Sequence, residues 1–213
     1  MTVQGSLLDQ AETMEPRSLE TGLSRTTLSH GAWVDHRPAW LTGADLLFDA
    51  LLKDVPWRAE RRQMYDNVVD VPRLTKFYAA DEPLPHPMLL IVREALSDHY
   101  EAELGERFRT AGLCLYRDGR DSVAYHGDTT ARDLEQAVVA TVSLGAPRRF
   151  LLRPAAGGAA HPFALGGGDL VVMGGTCQRT WRHGIPKAAV AGPRIAVMFR
   201  PRWGEAYVSA VEE

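Results

Sequence analysis

Apolar and polar positions divide the chain into two parts with different periods. Behind Thr42-Gly43-Ala44-Asp45, which reads as a capping box, Leu46, Leu47, Ala50 and Leu51 mark one helical face. A stronger helix is predicted from Pro87, whose fixed φ suits a first turn, to Gly105, placed to end it. Along it Leu89, Val92, Leu96 and Tyr100 step by three or four. Residues 66–85 between these helices carry Pro72, Pro83 and Pro85 beside Phe77 and Tyr78, and read as a hairpin or an ordered loop. Residues 1–38 are mixed and polar without sustained periodicity, which predicts a flexible arm ahead of a single domain over 39–213.

From Ala111 onward the period shortens to that of strands, broken by Gly and Pro. Strands are predicted near 112–116, 137–144, 150–153, 170–173 and 195–199, with turns such as Arg117-Asp118-Gly119 and Gly166-Gly167-Gly168-Asp169. Helices first and many short strands afterwards predict an α+β fold. Its core would be a double-stranded β-helix, a jelly-roll barrel, buttressed by the N-terminal helices.

Composition narrows this little. At 213 residues and 45% hydrophobic content the chain can bury one sizeable core. No apolar run approaches the roughly 20 residues that span a membrane, and the N-terminus lacks the layout of a secretory signal. Two cysteines, Cys114 and Cys177, form no disulfide framework or metal cluster pattern, and a reducing, cytoplasmic setting is expected. The net charge of −3 argues against attachment to nucleic acid by bulk electrostatics. Local Arg clusters (58, 61, 62; 148, 149, 153; 179, 182) read most simply as solvated faces.

Candidate chemistry rests on His126, Asp128 and His183. Two residues apart in an extended segment, His126 and Asp128 leave the same face, and a distant His can join them when a barrel closes. Two imidazoles and one carboxylate on one face of an octahedral ion leave sites for a chelating cosubstrate and oxygen, the pattern of non-haem iron(II) oxygenases. His161 is the competing third ligand. In the strand at 195–199, Ile195, Val197 and Phe199 face one way, so Arg194, Ala196, Met198 and Arg200 face the lumen. Two guanidinium groups there call for anions, and a dicarboxylate would answer both. With alpha-carbons roughly 20 Å apart, one Arg takes the far carboxylate and the other lies nearer the metal. Alternatively, both snorkel to solvent from strand ends.

The ordered set Leu113-Cys114-Leu115-Tyr116-Arg117-Asp118-Gly119, Tyr125-His126-Gly127-Asp128, Ser143-Leu144-Gly145, Gly168-Asp169-Leu170-Val171-Val172-Met173, Trp181-Arg182-His183-Gly184-Ile185-Pro186 and Pro193-Arg194-Ile195-Ala196-Val197-Met198-Phe199-Arg200 resembles the AlkB family of Fe(II)/2-oxoglutarate-dependent dioxygenases, nearest its bacterial members. The match in order and spacing covers roughly residues 55–202. The resemblance implies His126, Asp128 and His183 as iron ligands, with Arg194 on the distal carboxylate of 2-oxoglutarate. It also implies Arg200 near the keto-acid end, Tyr116 holding the cosubstrate through its hydroxyl, and 66–85 as a nucleotide-recognition lid. The implied activity is oxidative dealkylation of N-alkylated bases in DNA or RNA with O2, releasing succinate, CO2 and an aldehyde.

Three positions depart from the family pattern: Cys114 and Ala196 replace Asn residues beside the cosubstrate, and Thr130 replaces an acidic base-reader. Tyr78, His126 and Trp181 are candidates to stack on a flipped base, with core packing the alternative for the two large aromatics. In the arm, Gln4-Gly5-Ser6-Leu7-Leu8 resembles the peptide by which bacterial repair proteins dock on the sliding clamp. Rival readings are an oxygenase of the same chemistry acting on a protein, lipid or small metabolite, and a non-catalytic jelly-roll binding module. Acidity and Thr130 favour the first; the intact triad disfavours the second. A zinc hydrolase would leave the two lumen-facing Arg unexplained.

Overall fold

Alternation along one strand sets the architecture. In the computed structural model, which describes residues 13–64, 67–128 and 134–201, β1 (Glu15–Pro16), β2 (Ser24–Thr27), β3 (Ala32–Arg37) and β4 (Leu41–Thr42) lead into α1 (Ala44–Asp54). The hairpin β5 (Arg58–Met64) and β6 (Asn67–Tyr78) precedes α2 (Pro87–Leu104). Next come β7 (Thr110–Tyr116), β8 (Val123–His126), β9 (Val139–Gly145), β10 (Arg148–Pro154), β11 (His161–Leu165) and β12 (Leu170–Gly175). The one-turn α3 (Cys177–Thr180), β13 (Trp181–Ile185) and β14 (Arg194–Arg200) close the described chain. Two antiparallel sheets face each other, one of eight strands in the order β2-β3-β12-β9-β14-β7-β6-β5 and one of four in the order β11-β10-β13-β8. This is the jelly-roll expected.

Each strand of the large sheet has two apolar sides with different partners. On one side Ile195, Val197 and Phe199 join Leu113, Leu115, Val142 and Val172 in a core completed by Leu47 and Leu51 of α1 and Leu89, Val92 and Leu96 of α2. Each such side chain stabilises the fold by about 1.5–3 kcal/mol when fully buried. On the other side Ala196 joins Tyr116, Val139, Val171 and Met173, and meets Phe150, Leu152, Trp181 and Ile185 of the small sheet. That second core is the lumen.

Helix α2 behaves as its spacing predicts: Pro87 occupies its first turn, and Gly105 ends it in the left-handed region at φ 71°. Helix α1 starts differently. Its N-cap is Gly43 at φ 62° with no side-chain cap, and the Thr42 hydroxyl lies 3.0 Å from the carbonyls of Thr13 and Glu15. Thr42 is thus tied to the β1 side of the chain, so the expected capping box does not form.

The arm expected over 1–38 is corrected for residues 24–37. Strand β3 pairs along its whole length with β12, and β2 adds an outer edge to it. Arg25 grips the fully buried Asp35 through two hydrogen bonds of 2.7 Å, and Tyr100 of α2 donates to the same carboxylate at 2.8 Å. The four residues of β2 are all exposed and polar, which is why no hydrophobic period marks them. Residues 66–85 contain the second arm of the β5–β6 hairpin and the loop after it; the hairpin begins earlier, at Arg58. Strands β8, β11 and β13 also carry weak sequence signals. They are short, β13 contains a glycine, and β11 contains Pro162, which an edge strand tolerates.

Candidate active site

The last residue of β8 and the third of β13 face each other in register, which brings His126 and His183 to 4.3 Å between ring centres. Asp128 follows β8 by two residues. One donor atom from each of His126, Asp128 and His183 lies within 4.8 Å of the others. His161, the competing ligand, lies apart from this set: it opens β11 and packs its ring edge-on against Trp181.

Neighbours orient the three donors. The Nδ1 of His126 lies 2.9 Å from the carbonyl of Ala124, so Nδ1 carries the proton and Nε2 keeps its lone pair free for a metal. Burial pushes His183 down to about 3, and the nearby His126 adds to the effect, so both imidazoles are neutral at pH 7. Burial alone would raise Asp128, but the Arg200 charge and then His183 outweigh it and keep the carboxylate below its ordinary value. Arg200 donates from Nε to Asp128 Oδ2 at 2.6 Å, leaving the second oxygen without a protein partner among the described residues. Phe150 stacks on His183 at 5.7 Å.

One support lies outside the sequence motifs. Gln178 of α3, 5% exposed, accepts the Asp128 backbone N–H at 3.0 Å. Gly127 lets that approach happen, since a Cβ there would sit 2.2 Å from the Gln178 carbonyl oxygen. A four-residue helix has no period to reveal Gln178 in the sequence.

Arg194 lies deeper, with 1% of its surface exposed. Its Nε donates to the Ser143 hydroxyl at 2.9 Å, while Nη1 is buried with no partner among the described residues. Burial depresses the affinity of this guanidinium for its proton. A charged nitrogen left in that state is costly unless an anion meets it. Tyr116 pairs with Arg194 in register, with the guanidinium carbon 5.4 Å from its ring centre, and burial pushes its hydroxyl up to about 12. Ser143 could have been found by phase, because it alternates with Val142 and Leu144 and so faces the lumen. Arg148, also buried, donates to the carbonyls of Asp118, Asp121 and Pro186 and so ties the β7–β8 loop to the end of β13.

Between the two lumen-facing Arg the floor is apolar or weakly polar. Cys114 pairs with Ala196, and Met198 follows, its sulfur 3.9 Å from Arg200 Nη2. Of the three positions that depart from the family pattern, Cys114 and Ala196 are therefore on the cosubstrate side of the lumen. The donor set and the orphaned Arg194 nitrogen fit an iron(II) ion with a dicarboxylate reaching from it into the barrel.

The base-stacking candidates separate. Tyr78 pairs with Ala111 and shares its side of the sheet, so its ring belongs to the helix-backed core, away from the triad. That corrects its expected place in the pocket; burial there pushes its hydroxyl up to about 12. Trp181 does face the lumen, but it is 4% exposed and its indole N–H points at the Ser29 carbonyl at 3.4 Å, so it fills the core. Thr130 lies outside the described residues.

Residues 40–200 match the family model of the 2OG-Fe(II) oxygenase superfamily. The chain is 32% identical over 201 residues to alpha-ketoglutarate-dependent dioxygenase alkB homolog 3 of Bos taurus, a match covering 84% of this chain and 67% of the relative. It is 27% identical over 178 residues to the Homo sapiens DNA oxidative demethylase ALKBH2, covering 74% and 68%. Among solved structures, that of OsALKBH1 superposes with a TM-score of 0.59 at 13% identity, covering 84% of this chain and all of that one, and so speaks for the fold alone.

Proposed function

Because the chain belongs to the AlkB family of the 2OG-Fe(II) oxygenase superfamily, we propose that it removes alkyl groups oxidatively from N-alkylated bases of DNA or RNA. It is an iron(II)- and 2-oxoglutarate-dependent dioxygenase. The observation that carries the proposal is the pairing of a three-donor site with a buried, unpartnered Arg194 nitrogen in one lumen. His126, Asp128 and His183 hold the iron, and Arg194 takes the far carboxylate of 2-oxoglutarate with Tyr116 beside it. When bound, iron with 2-oxoglutarate and oxygen supplies the oxidation of an N-alkyl carbon, giving succinate, CO2, an aldehyde and the restored base.

The chain's own part is positional. The Ala124 carbonyl fixes the His126 tautomer, so no proton competes at Nε2. Arg200 balances the Asp128 charge and fixes which oxygen is free. Phe150 covers His183 from the barrel side and helps to exclude water. A base must leave its stack to reach this depth, and the β5–β6 hairpin with the loop after it is our candidate for the lid that receives it.

Mass spectrometry of an oligonucleotide carrying 1-methyladenine or 3-methylcytosine tests this. With iron(II), ascorbate and 2-oxoglutarate the expected result is loss of one methyl group, absent in His126→Ala. Succinate formation without demethylation would reject these lesions. Two further proposals are separate. Gln4–Leu8 lie outside the described residues, and their docking on a sliding clamp predicts loss of clamp pull-down in a Leu7→Ala, Leu8→Ala double variant. The two free cysteines support a cytoplasmic setting, which cell fractionation checks.

A further inference from the structure

The four strands of the small sheet contain no Asp or Glu, although the whole chain is net acidic. Their lumen side is taken up by Phe150, Leu152, Trp181, His183 and Ile185. Their outer side carries cations. Arg153 of β10 lies directly opposite Arg182 of β13, and Arg149 follows four residues back along β10, roughly 13 Å away at strand spacing. Arg149, Pro162 and Ala164 are exposed, so this side faces solvent. Gly184, paired with Leu151, leaves the middle of the sheet low. Across it the Arg153 guanidinium reaches Tyr125 of β8, with 3.9 Å from its carbon to the ring centre. Arg179, exposed on α3, extends the patch toward the triad. None of Arg149, Arg153, Arg179 and Arg182 pairs with a carboxylate among the described residues; Arg182 and Arg179 meet only backbone carbonyls.

The opposite pole has the reverse charge. Helix α1 holds three carboxylates and α2 four, against Lys53 and Arg93 within the two helices. Two basic side chains near α2 are consumed: Arg107 pairs with Glu94, Asp98 and Glu101, and Arg25 with Asp35 and Glu103. A polyanion approaching this molecule is repelled from the helices and drawn to the small sheet. Unpaired Arg side chains with an aromatic ring on one strip suit a single strand, which offers phosphates at intervals and bases that stack.

We propose that the outer face of the small sheet, through Arg149, Arg153, Arg182 and Tyr125, holds the sugar–phosphate backbone of the strand whose base enters the lumen. This rests on the reading of the lumen as a base-oxidising site. Tyr125 and His126 are successive residues on opposite sides of β8, so the end of that strand separates the held backbone from the triad by one strand's thickness. The contact is sequence-independent, because it reads phosphate and ring faces and no base edge.

The test measures binding of an unmodified, fluorescent oligothymidylate of about 20 nucleotides to the full-length protein across a salt series. Each phosphate contact contributes about −0.7 to the slope of log affinity against log salt. An Arg149→Gln, Arg153→Gln double variant is expected to lower that slope by about 1.4 and to weaken binding roughly tenfold near 0.15 M salt. Turnover of a free methylated nucleoside, which has no strand to hold, is expected to match the parent. A double variant that keeps the parental slope and affinity overturns the proposal, as does a variant that loses polyglutamate binding while oligothymidylate binding stays unchanged. The probe contains no lesion, so a failure of the dealkylation reading shows in the nucleoside assay and leaves this measurement standing.

Discussion

The two sides of β14 were built by the same seven residues and serve opposite ends. Toward the helices, Ile195, Val197 and Phe199 are fully buried in hydrocarbon and make no polar demand. Toward the lumen, Arg194 and Arg200 bring two charges into the barrel, one tied to Asp128 and one with a nitrogen that meets no partner among the described residues. The helix-backed side stabilises the fold unaided. The lumen side is less stable than it would be with apolar residues, and it becomes satisfied when an anion and a cation enter. A difference of one residue in phase separates the folding core from the chemistry.

The contrast is broken most directly at the triad. Asp128→Ala is expected to abolish turnover in the coupled demethylation assay while the protein still folds. Arg200 is then left without its carboxylate, and a modest loss in urea stability accompanies the change. Arg194→Met is the next largest. Losing one partner of a buried charged contact costs about 2–5 kcal/mol of binding, so KM for 2-oxoglutarate should rise at least about 30-fold. The ligand-free protein should nevertheless gain about 1 kcal/mol or more in urea unfolding, because a buried unmet donor is gone. If Arg194→Met destabilises the apoprotein instead, the lumen is part of the folding core and the contrast fails. Leu96→Ala is the mirror experiment. Its side chain is fully buried in the helix-backed core, and the loss should be about 2–5 kcal/mol of stability with kcat/KM unchanged for the folded fraction.

How much of this was legible depends on period. Strand β14 declared both its faces, because apolar residues alternate without interruption and the two Arg fall in the other phase. Helix α2 declared its face and both ends. Strands β2 and β3 did not: β2 is wholly polar, and the pairing of β3 with β12 is a contact across more than 130 residues that no local pattern encodes. Thr42 misled for a related reason, since its hydroxyl found the chain at Thr13 and Glu15 in place of its own helix. At the site, the donors were readable as residue types at a spacing, while their orientation was not. The Ala124 carbonyl and Gln178 act through backbone groups and a one-turn helix, neither of which leaves a sequence signature. Tyr78 showed the limit most clearly: its identity suggested a base-stacking ring, but its register with Ala111 turns it to the helices.

Gln178 gives the smallest and most discriminating test of where the lumen's order comes from. Its Oε1 receives the Asp128 N–H, and its Nε2 lies 3.9 Å from the Met173 sulfur, so the side chain spans from the carboxylate ligand to the apolar wall. If the wall positions the metal site, removing the acceptor should loosen Asp128 without unfolding anything. Gln178→Met keeps the volume and apolar contact but loses the oxygen, and iron(II) affinity should fall about 10- to 100-fold, the usual effect of losing a group that orients a ligand. Gln178→Glu keeps the oxygen and should keep parental affinity. Iron titration of both variants, read beside their urea midpoints, separates the two roles. Equal affinity in Met and Glu variants would mean that Gly127 and the β8 backbone hold Asp128 by themselves, and that the lumen wall contributes packing alone.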